Sequence, residues 1–230
     1  MSVRARVLVV EDDPAIREGL CDLLAFQGHL PTAAADGPSG LAAAMTGEHD
    51  LLILDVMLPG QSGLSVCAAV RAARPRVPIL LLTALGSEGD VLAGFQAGCD
   101  DYVAKPFSVA QLSARLKALL RRVEGPVERR LLLGGLELDL DQLSARAQGV
   151  EVALSPRDIE VLVYLHRERH RIVSRADLLR SVWGYARVTE VETRCVDMHL
   201  VKLRRKLAEL GAAGIIETVR SAGYRLVVAP

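Results

Sequence analysis

Apolar residues in the first half of the chain come in four short unbroken runs, Val7–Val10, Leu51–Leu54, Ile79–Leu82 and Tyr102–Ala104, each stopping at a polar residue. Runs of this length, rich in Val, Ile and Leu, are the pattern of strands buried on both faces of a parallel sheet. Between them the period changes. Ile16, Leu20, Leu23 and Leu24 recur at i, i+4, i+7 and i+8, one face of a helix. The pattern predicts strands at 5–10, 30–34, 51–55, 78–83 and 101–104. It predicts helices near 14–26, 38–46, 64–72, 88–96 and 108–121, with Pro59, Gly60 and Gly63 marking a loop. Five such βα units make a doubly wound α/β domain, residues 1–122, with a five-stranded parallel sheet covered on both faces.

Residues 123–130 break this pattern with Gly125 and Pro126 flanked by charge, and are read as a linker. In residues 131–230 short alternating segments at 136–140, 143–147 and 150–154 predict a small antiparallel sheet. Ser155-Pro156 is a helix start, Ser as N-cap and Pro at N1, with Asp158 near the positive end of the dipole. A second helix follows Ser174 and ends by Gly184, and a third spans about 192–210. Ile215–Val219 and Tyr224–Val228, around Ser221-Ala222-Gly223, form a hairpin. Three helices closed by a hairpin describe an α+β winged helix-turn-helix domain.

Composition narrows the classes. A chain of 230 residues has room for two cores, and with 3% aromatic residues they are aliphatic. No apolar run approaches the roughly 20 residues a membrane span needs, and the apolar start is too short for a signal peptide. The reading is a cytoplasmic protein with no membrane partner. Cys21, Cys67, Cys99 and Cys195 show no metal spacing and read as thiols of a reducing compartment, with Cys195 a candidate thiol at a DNA surface. Net charge is zero, but residues 194–206 gather Arg194, Lys202, Arg204, Arg205 and Lys206 against Asp197 alone.

The polar residues that end the four runs carry the chemistry. Ligands of open α/β sheets sit outside the carboxyl ends of the strands, so Glu11-Asp12, Asp55, Thr83 and Lys105 converge there. An aspartate can attack phosphorus and form an acyl phosphate, given a divalent cation to quench repulsion. Mg2+ takes oxygen ligands, one or two of them carboxylates, which Glu11, Asp12 and Asp55 supply. Lys105 can pair with one phosphoryl oxygen and Thr83 can donate its hydroxyl to another. Lys105 is one of four lysines among 28 basic residues, in a chain that otherwise uses arginine. Taken singly each has a plain explanation: Thr83 as a strand residue, Lys105 as a surface charge, Asp13 as a helix cap. The convergence favours chemistry.

The third helix of the second half carries a second candidate surface. At 100° per residue Arg194, Met198, Val201 and Arg205 fall within about 60° of one another, with Lys202 beside them. Val196, Leu200, Leu203 and Leu207 form the opposite, core stripe. A cationic face holding Met198 and Val201 suits the major groove, where the cations contact phosphate or guanine and the apolar residues contact thymine methyls.

Glu11-Asp12, the segment 55–60, Leu82-Thr83-Ala84 and the segment 100–107 resemble the receiver domain of two-component response regulators, a flavodoxin-like fold. Segments 194–207 and 218–225 resemble the winged-helix effector of the OmpR/PhoB class. The resemblance covers nearly the whole chain. It implies that Asp55 accepts phosphate from a sensor histidine kinase, with Glu11 and Asp12 holding Mg2+. It implies that Thr83 and Tyr102 form a switch pair, Tyr102 turning inward as Thr83 moves, and that Lys105-Pro106 is a cis peptide. It implies a homodimer through the fourth helix, fifth strand and fifth helix, using Asp100, Asp101 and Arg115. Val91 and Gln111 stand where the family places an ionic pair, so this dimer is expected to depend weakly on salt. It further implies Arg220 in a minor groove, Ser221 in place of a usual glycine, and contact of the 184–191 loop with RNA polymerase. The DNA partner is double-stranded, as a direct repeat or paired half-sites. Met57 and Leu85, two residues beyond Asp55 and Thr83, either retard self-dephosphorylation or simply cover the sheet end. Two other readings compete: a phosphatase or phosphotransferase, disfavoured because Met57 stands where a second acid would be, and a constitutive DNA-binding protein with a vestigial receiver.

Overall fold

The computed structural model describes residues 4–84, 88–120, 130–185 and 190–227, without the side chains of 88–92 and 190–192. Leu85, the Val91 side chain, linker residues 123–129 and the middle of the 184–191 loop lie outside this set. The chain divides into two compact units, 1–120 and 121–230.

In the first unit β1 (Arg6–Val10), β2 (Leu30–Ala34), β3 (Leu51–Asp55), β4 (Ile79–Thr83) and β5 (Asp101–Ala104) form one sheet in the order β2-β1-β3-β4-β5. All pairs are parallel. Between and after them run α1 (Pro14–Phe26), α2 (Gly37–Met45), α3 (Gly63–Ala73), α4 (Glu88–Ala97) and α5 (Val109–Leu120). Every residue of β3 and β4 is buried, as unbroken apolar runs require of central strands. One sheet face packs Val7, Val9, Ile53 and Leu80 against Leu20 and Leu24 of α1 and Leu112 and Leu116 of α5. The chain order reverses between β1 and β3, so the crevice at their carboxyl ends is the ligand position of this architecture.

Helix starts are set by side chains. Asp13 caps α1 with Oδ1 accepting the N–H groups of Ala15 and Ile16 at 2.8 and 3.1 Å, which frees Glu11 and Asp12 from that task. Gly63 opens α3 where a Cβ would lie 1.8 Å from the backbone oxygen of Asp55, so only glycine fits the return turn after β3.

In the second unit β6 (Arg130–Leu133), β7 (Leu136–Asp139), β8 (Ser144–Ala147) and β9 (Val150–Ala153) form an antiparallel sheet. The sequence pattern marks three of these strands. It misses β6, whose first residue, Arg130, falls in the expected linker. Then follow α6 (Pro156–Arg167), α7 (Arg175–Ser181), α8 (Glu190–Glu209), a 3-10 turn (Ala213–Ile215) and the wing, β10 (Ile216–Val219) paired with β11 (Gly223–Leu226). Ser155 with Asp158, and Ser174 with Asp177, each form a reciprocal capping box. The core joins Trp183 to Leu162, Leu178, Leu200, Leu203 and Ile216, with the predicted apolar stripe of α8 fully buried.

The wing turn holds Arg220, Ser221 and Ala222, with Ser221 at φ 58°. A side chain in the left-handed region costs about 1–2 kcal/mol, and glycine forfeits about 0.4–1 kcal/mol through its freer unfolded chain. Ser221→Gly is therefore expected to stabilise the second unit by about 0.5 kcal/mol. The check is its unfolding midpoint, followed by the fluorescence of Trp183, the one tryptophan of the chain.

Candidate functional site

The crevice gathers what the strand ends deliver. Asp55 is the last residue of β3 and Glu11 the first beyond β1; both are buried, while Asp12 is exposed at the rim. Oxygen atoms of Glu11, Asp12 and Asp55 lie within 4.8 Å of one another. Lys105, just beyond β5, donates to Glu11 Oε2 at 2.7 Å and to Asp55 Oδ2 at 2.8 Å. Asp55 Oδ1 accepts the N–H of Met57 at 3.2 Å. The Lys105-Pro106 peptide is cis.

Electrostatics follow from this packing. Burial pushes the Glu11 carboxyl above its ordinary value, the nearby Asp55 charge pushes the same way, and Lys105 offsets part of the rise. Burial opposes the Lys105 ammonium, but its contacts with Asp55 and Glu11 outweigh that and raise its pKa. One cation thus serves two buried carboxylates, with a third at the rim. Three hard oxygen donors facing one spot can hold an oxygen-liganded dication. The residues fit Mg2+.

Thr83 ends β4 and is buried, and its carbonyl accepts the N–H of Lys105 at 2.7 Å. Tyr102 is already inside, its ring edge-on to Phe95 of α4 with centroids 6.0 Å apart. The spacing of the chain does not reveal Arg17. From α1 its Nη1 donates to the carbonyls of Glu11 and Asp12 at 2.8 and 3.0 Å, fixing the acidic loop. The only signal was a cation one turn beyond the Asp13 cap.

The three residues expected on the dimerisation face, Asp100, Asp101 and Arg115, are buried within the first unit. Asp100 is fully buried: its Oδ2 accepts Arg71 Nη2 at 2.6 Å and the Ile79 N–H at 2.9 Å. It anchors α3 to the start of β5 and presents nothing outward. Asp101 and Arg115 are also buried and pair within the chain at 3.4 Å.

On α8, Arg194, Val201 and Arg205 are exposed and Met198 and Lys202 half-buried, a single face opposite Val196, Leu200, Leu203 and Leu207. Arg220 is exposed at the wing turn. Cys195 is fully buried, which corrects its reading as a surface thiol. It follows Arg194 by one residue, and 100° of rotation takes it into the core. Arg204 and Lys206 also leave the basic cluster. Arg204 clamps the carbonyl of Ile216 at 2.7 Å, and Lys206 pairs with Asp158 at 2.6 Å.

Each unit matches a known family. Residues 7–117 match the family described as response regulator receiver domain, and 149–226 the family described as transcriptional regulatory protein, C terminal. The chain is 38% identical over 225 residues to the DNA-binding response regulator MtrA of Mycolicibacterium smegmatis, covering 97% of each. It is 39% identical over 224 residues to the transcriptional regulatory protein PrrA of Mycobacterium tuberculosis, covering 96% of this chain and 95% of that one. The structure of a RitR mutant aligns with TM-score 0.74 at 25% identity, over 98% of this chain and all of that one. The structure of DrrB, a Thermotoga maritima OmpR/PhoB homologue, aligns with TM-score 0.51 at 28% identity over the same shares. Among the described residues no helix is long and apolar enough to cross a membrane. With an acidic crevice at the strand ends of one unit and a cationic helix face in the other, this chain belongs to the OmpR/PhoB-type two-component response regulators, DNA-binding regulators of transcription.

Proposed function

We propose that Asp55 accepts a phosphoryl group from a phosphohistidine of a sensor histidine kinase, and that this promotes a homodimer which binds promoter DNA. The observation that carries the reading is the meeting of Glu11, Asp12, Asp55 and Lys105 within one crevice. A carboxylate oxygen of Asp55 attacks phosphorus, the P–N bond breaks, and the imidazole leaves with the bonding pair. Glu11, Asp12 and Asp55 would hold Mg2+, which when bound offsets the charge of the phosphoryl oxygens. Lys105 exchanges one of its carboxylate partners for a phosphoryl oxygen, and the Thr83 hydroxyl donates to another. An apolar groove of about 550 Å³ between α1 and α5, lined by Ile16, Gly19, Leu20, Phe107 and Leu112, opens beside Lys105 and gives the kinase a place to rest.

Downstream, the switch pair Thr83 and Tyr102 and the α4-β5-α5 face, with Asp100, Asp101 and Arg115, form the dimer output. The α8 face (Arg194, Met198, Val201, Lys202, Arg205) reads the major groove of double-stranded DNA arranged as a direct repeat or paired half-sites, and Arg220 enters the minor groove. The 184–191 loop meets RNA polymerase. All of this takes place in the cytoplasm, and no independent turnover on a free substrate is expected. The test is to treat the full chain with Mg2+ and a small phosphodonor. Intact mass, oligomer size and affinity for a duplex selected from a random-sequence pool are then followed together. A phosphoryl gain with dimer formation and tighter duplex binding supports the reading. Unchanged duplex affinity on phosphorylation supports the constitutive alternative.

Met57, 61% exposed at the mouth of the site, offers no group to activate water. Met57→Glu would place a general base two residues from the acceptor. Loss of the phosphoryl group is then expected to quicken by about tenfold. An unchanged decay would mean that Met57 only covers the sheet end.

A further inference from the structure

Asp197 is an acid on the flank of a helix whose outer face carries Arg194, Lys202 and Arg205, a place where its charge would repel phosphate. Its Oδ1 is taken twice. It accepts Arg175 Nε, from the first turn of α7, at 2.6 Å, and it accepts the Tyr224 hydroxyl from the wing. The Tyr224 ring is buried between two guanidinium groups, Arg175 at 5.1 Å and Arg204 of α8 at 5.7 Å from its centroid. Arg204 reaches the same hairpin from the other side, through the Ile216 carbonyl and Thr218 Oγ1 at 2.7 and 2.8 Å. Tyr224 and Val173 exchange both backbone hydrogen bonds at 2.8 Å. The wing is thus tied to the start of α7 by backbone and to α8 by side chains. Asp197 is the residue where α7, α8 and the wing meet.

We infer that Asp197 is a positioning residue for DNA recognition: it fixes the offset between the reading face of α8 and Arg220 at the wing tip. The inference rests on the DNA-reading role proposed above. Two contacts in different grooves add fully only if the parts carrying them are held at one separation. Asp197 supplies that hold from the helix that itself enters the groove. Its own charge is spent on Arg175, so it need not read a base.

The test compares Asp197→Asn with Asp197→Ala in the full chain. The probes are a duplex enriched by the wild type from a random-sequence pool and a scrambled duplex of equal length. Asn keeps an oxygen that can accept both donors, whereas Ala keeps none. Asp197→Asn is expected to hold the preference for the enriched duplex within about twofold of wild type. Asp197→Ala is expected to lower that preference by about tenfold, with the Trp183-reported unfolding showing that the unit remains folded. The added substitution Arg220→Ala should weaken enriched-duplex binding by about tenfold in wild type and by only about twofold beside Asp197→Ala. Equal costs of Arg220→Ala in the two backgrounds would overturn the inference. So would parallel gains in affinity for Asn and Ala, which would mark Asp197 as a plain repelling charge, or an altered enriched sequence with Asn, which would make it a base reader. A wild type that enriches no sequence would instead defeat the DNA-reading proposal itself.

Discussion

Asp55→Asn is expected to gain no phosphoryl group under conditions in which the wild type gains one, and to stay unresponsive in oligomer size and duplex affinity. An amide oxygen is no nucleophile toward phosphorus, so the loss at this position is complete rather than partial. The substitution isolates the chemistry because the surroundings tolerate it. Asn has the same shape, its one oxygen can still accept either the Met57 N–H or Lys105, and Lys105 keeps Glu11 at 2.7 Å. It also removes one of three crowded carboxylates. The Glu11 pKa, raised by burial and then by the charge of Asp55, should come down in the variant. Thermal stability near neutral pH is therefore expected to be equal or higher. Intact mass after treatment with Mg2+ and a small phosphodonor decides the matter. A variant that still gains the group has another acceptor, Asp12 or Glu11, and the assignment of roles in the crevice would have to be redrawn.

The crevice was legible because its residues announce themselves by position. A polar residue just past a buried parallel strand sits at the carboxyl edge of the sheet, and on the adjacent strands β1, β3, β4 and β5 such residues come together. The Asp13 and Ser155 caps were legible for a similar local reason. What escaped was set by tertiary partners. Asp100, which the resemblance places on the dimerisation face, has no neighbour in the sequence that announces an internal partner. Only the fold brings Arg71 from α3 to bury it. Arg17 acts through backbone carbonyls, which carry no sequence signal. On α8 the helical wheel separated core from surface correctly. It could not show that Arg204 turns to the wing, that Lys206 turns to Asp158, or that Asp197 holds Tyr224. The strand β6 was hidden by its first residue, since Arg130 closes a charged Gly/Pro segment that reads as linker until β7 is there to pair with it.

Asp158 carries the largest expected stability effect in the second unit. Its carboxylate is fully buried and meets three groups at once. It accepts the Ser155 N–H at 2.8 Å, pairs with Lys206 at 2.6 Å, and lies 3.1 Å from His199 Nε2. Burial alone would raise its pKa, but Lys206, His199 and Lys202 outweigh that and hold it well below the usual carboxylate range. Asp158→Ala strands those partners and removes half of the α6 capping box, and a buried pair broken on one side costs about 3–5 kcal/mol. The sign of the pH dependence follows from the direction of the shift. A carboxyl whose folded pKa is depressed contributes fully above its unfolded value of about 3.9, and that contribution fades as pH falls toward the folded pKa. The gap between wild type and Asp158→Ala should therefore be widest near neutral pH and narrow in acid. Trp183 reports it directly, because its ring lies 5.4 Å from His199 in the same cluster. Receiver unfolding should leave that signal largely unchanged, so the midpoint belongs to the effector unit. A gap that stays constant from neutral pH into acid would mean that Asp158 acts only by capping α6. A gap that closes would mean that its charge, shared with Lys206 and His199, is what holds α8 against α6.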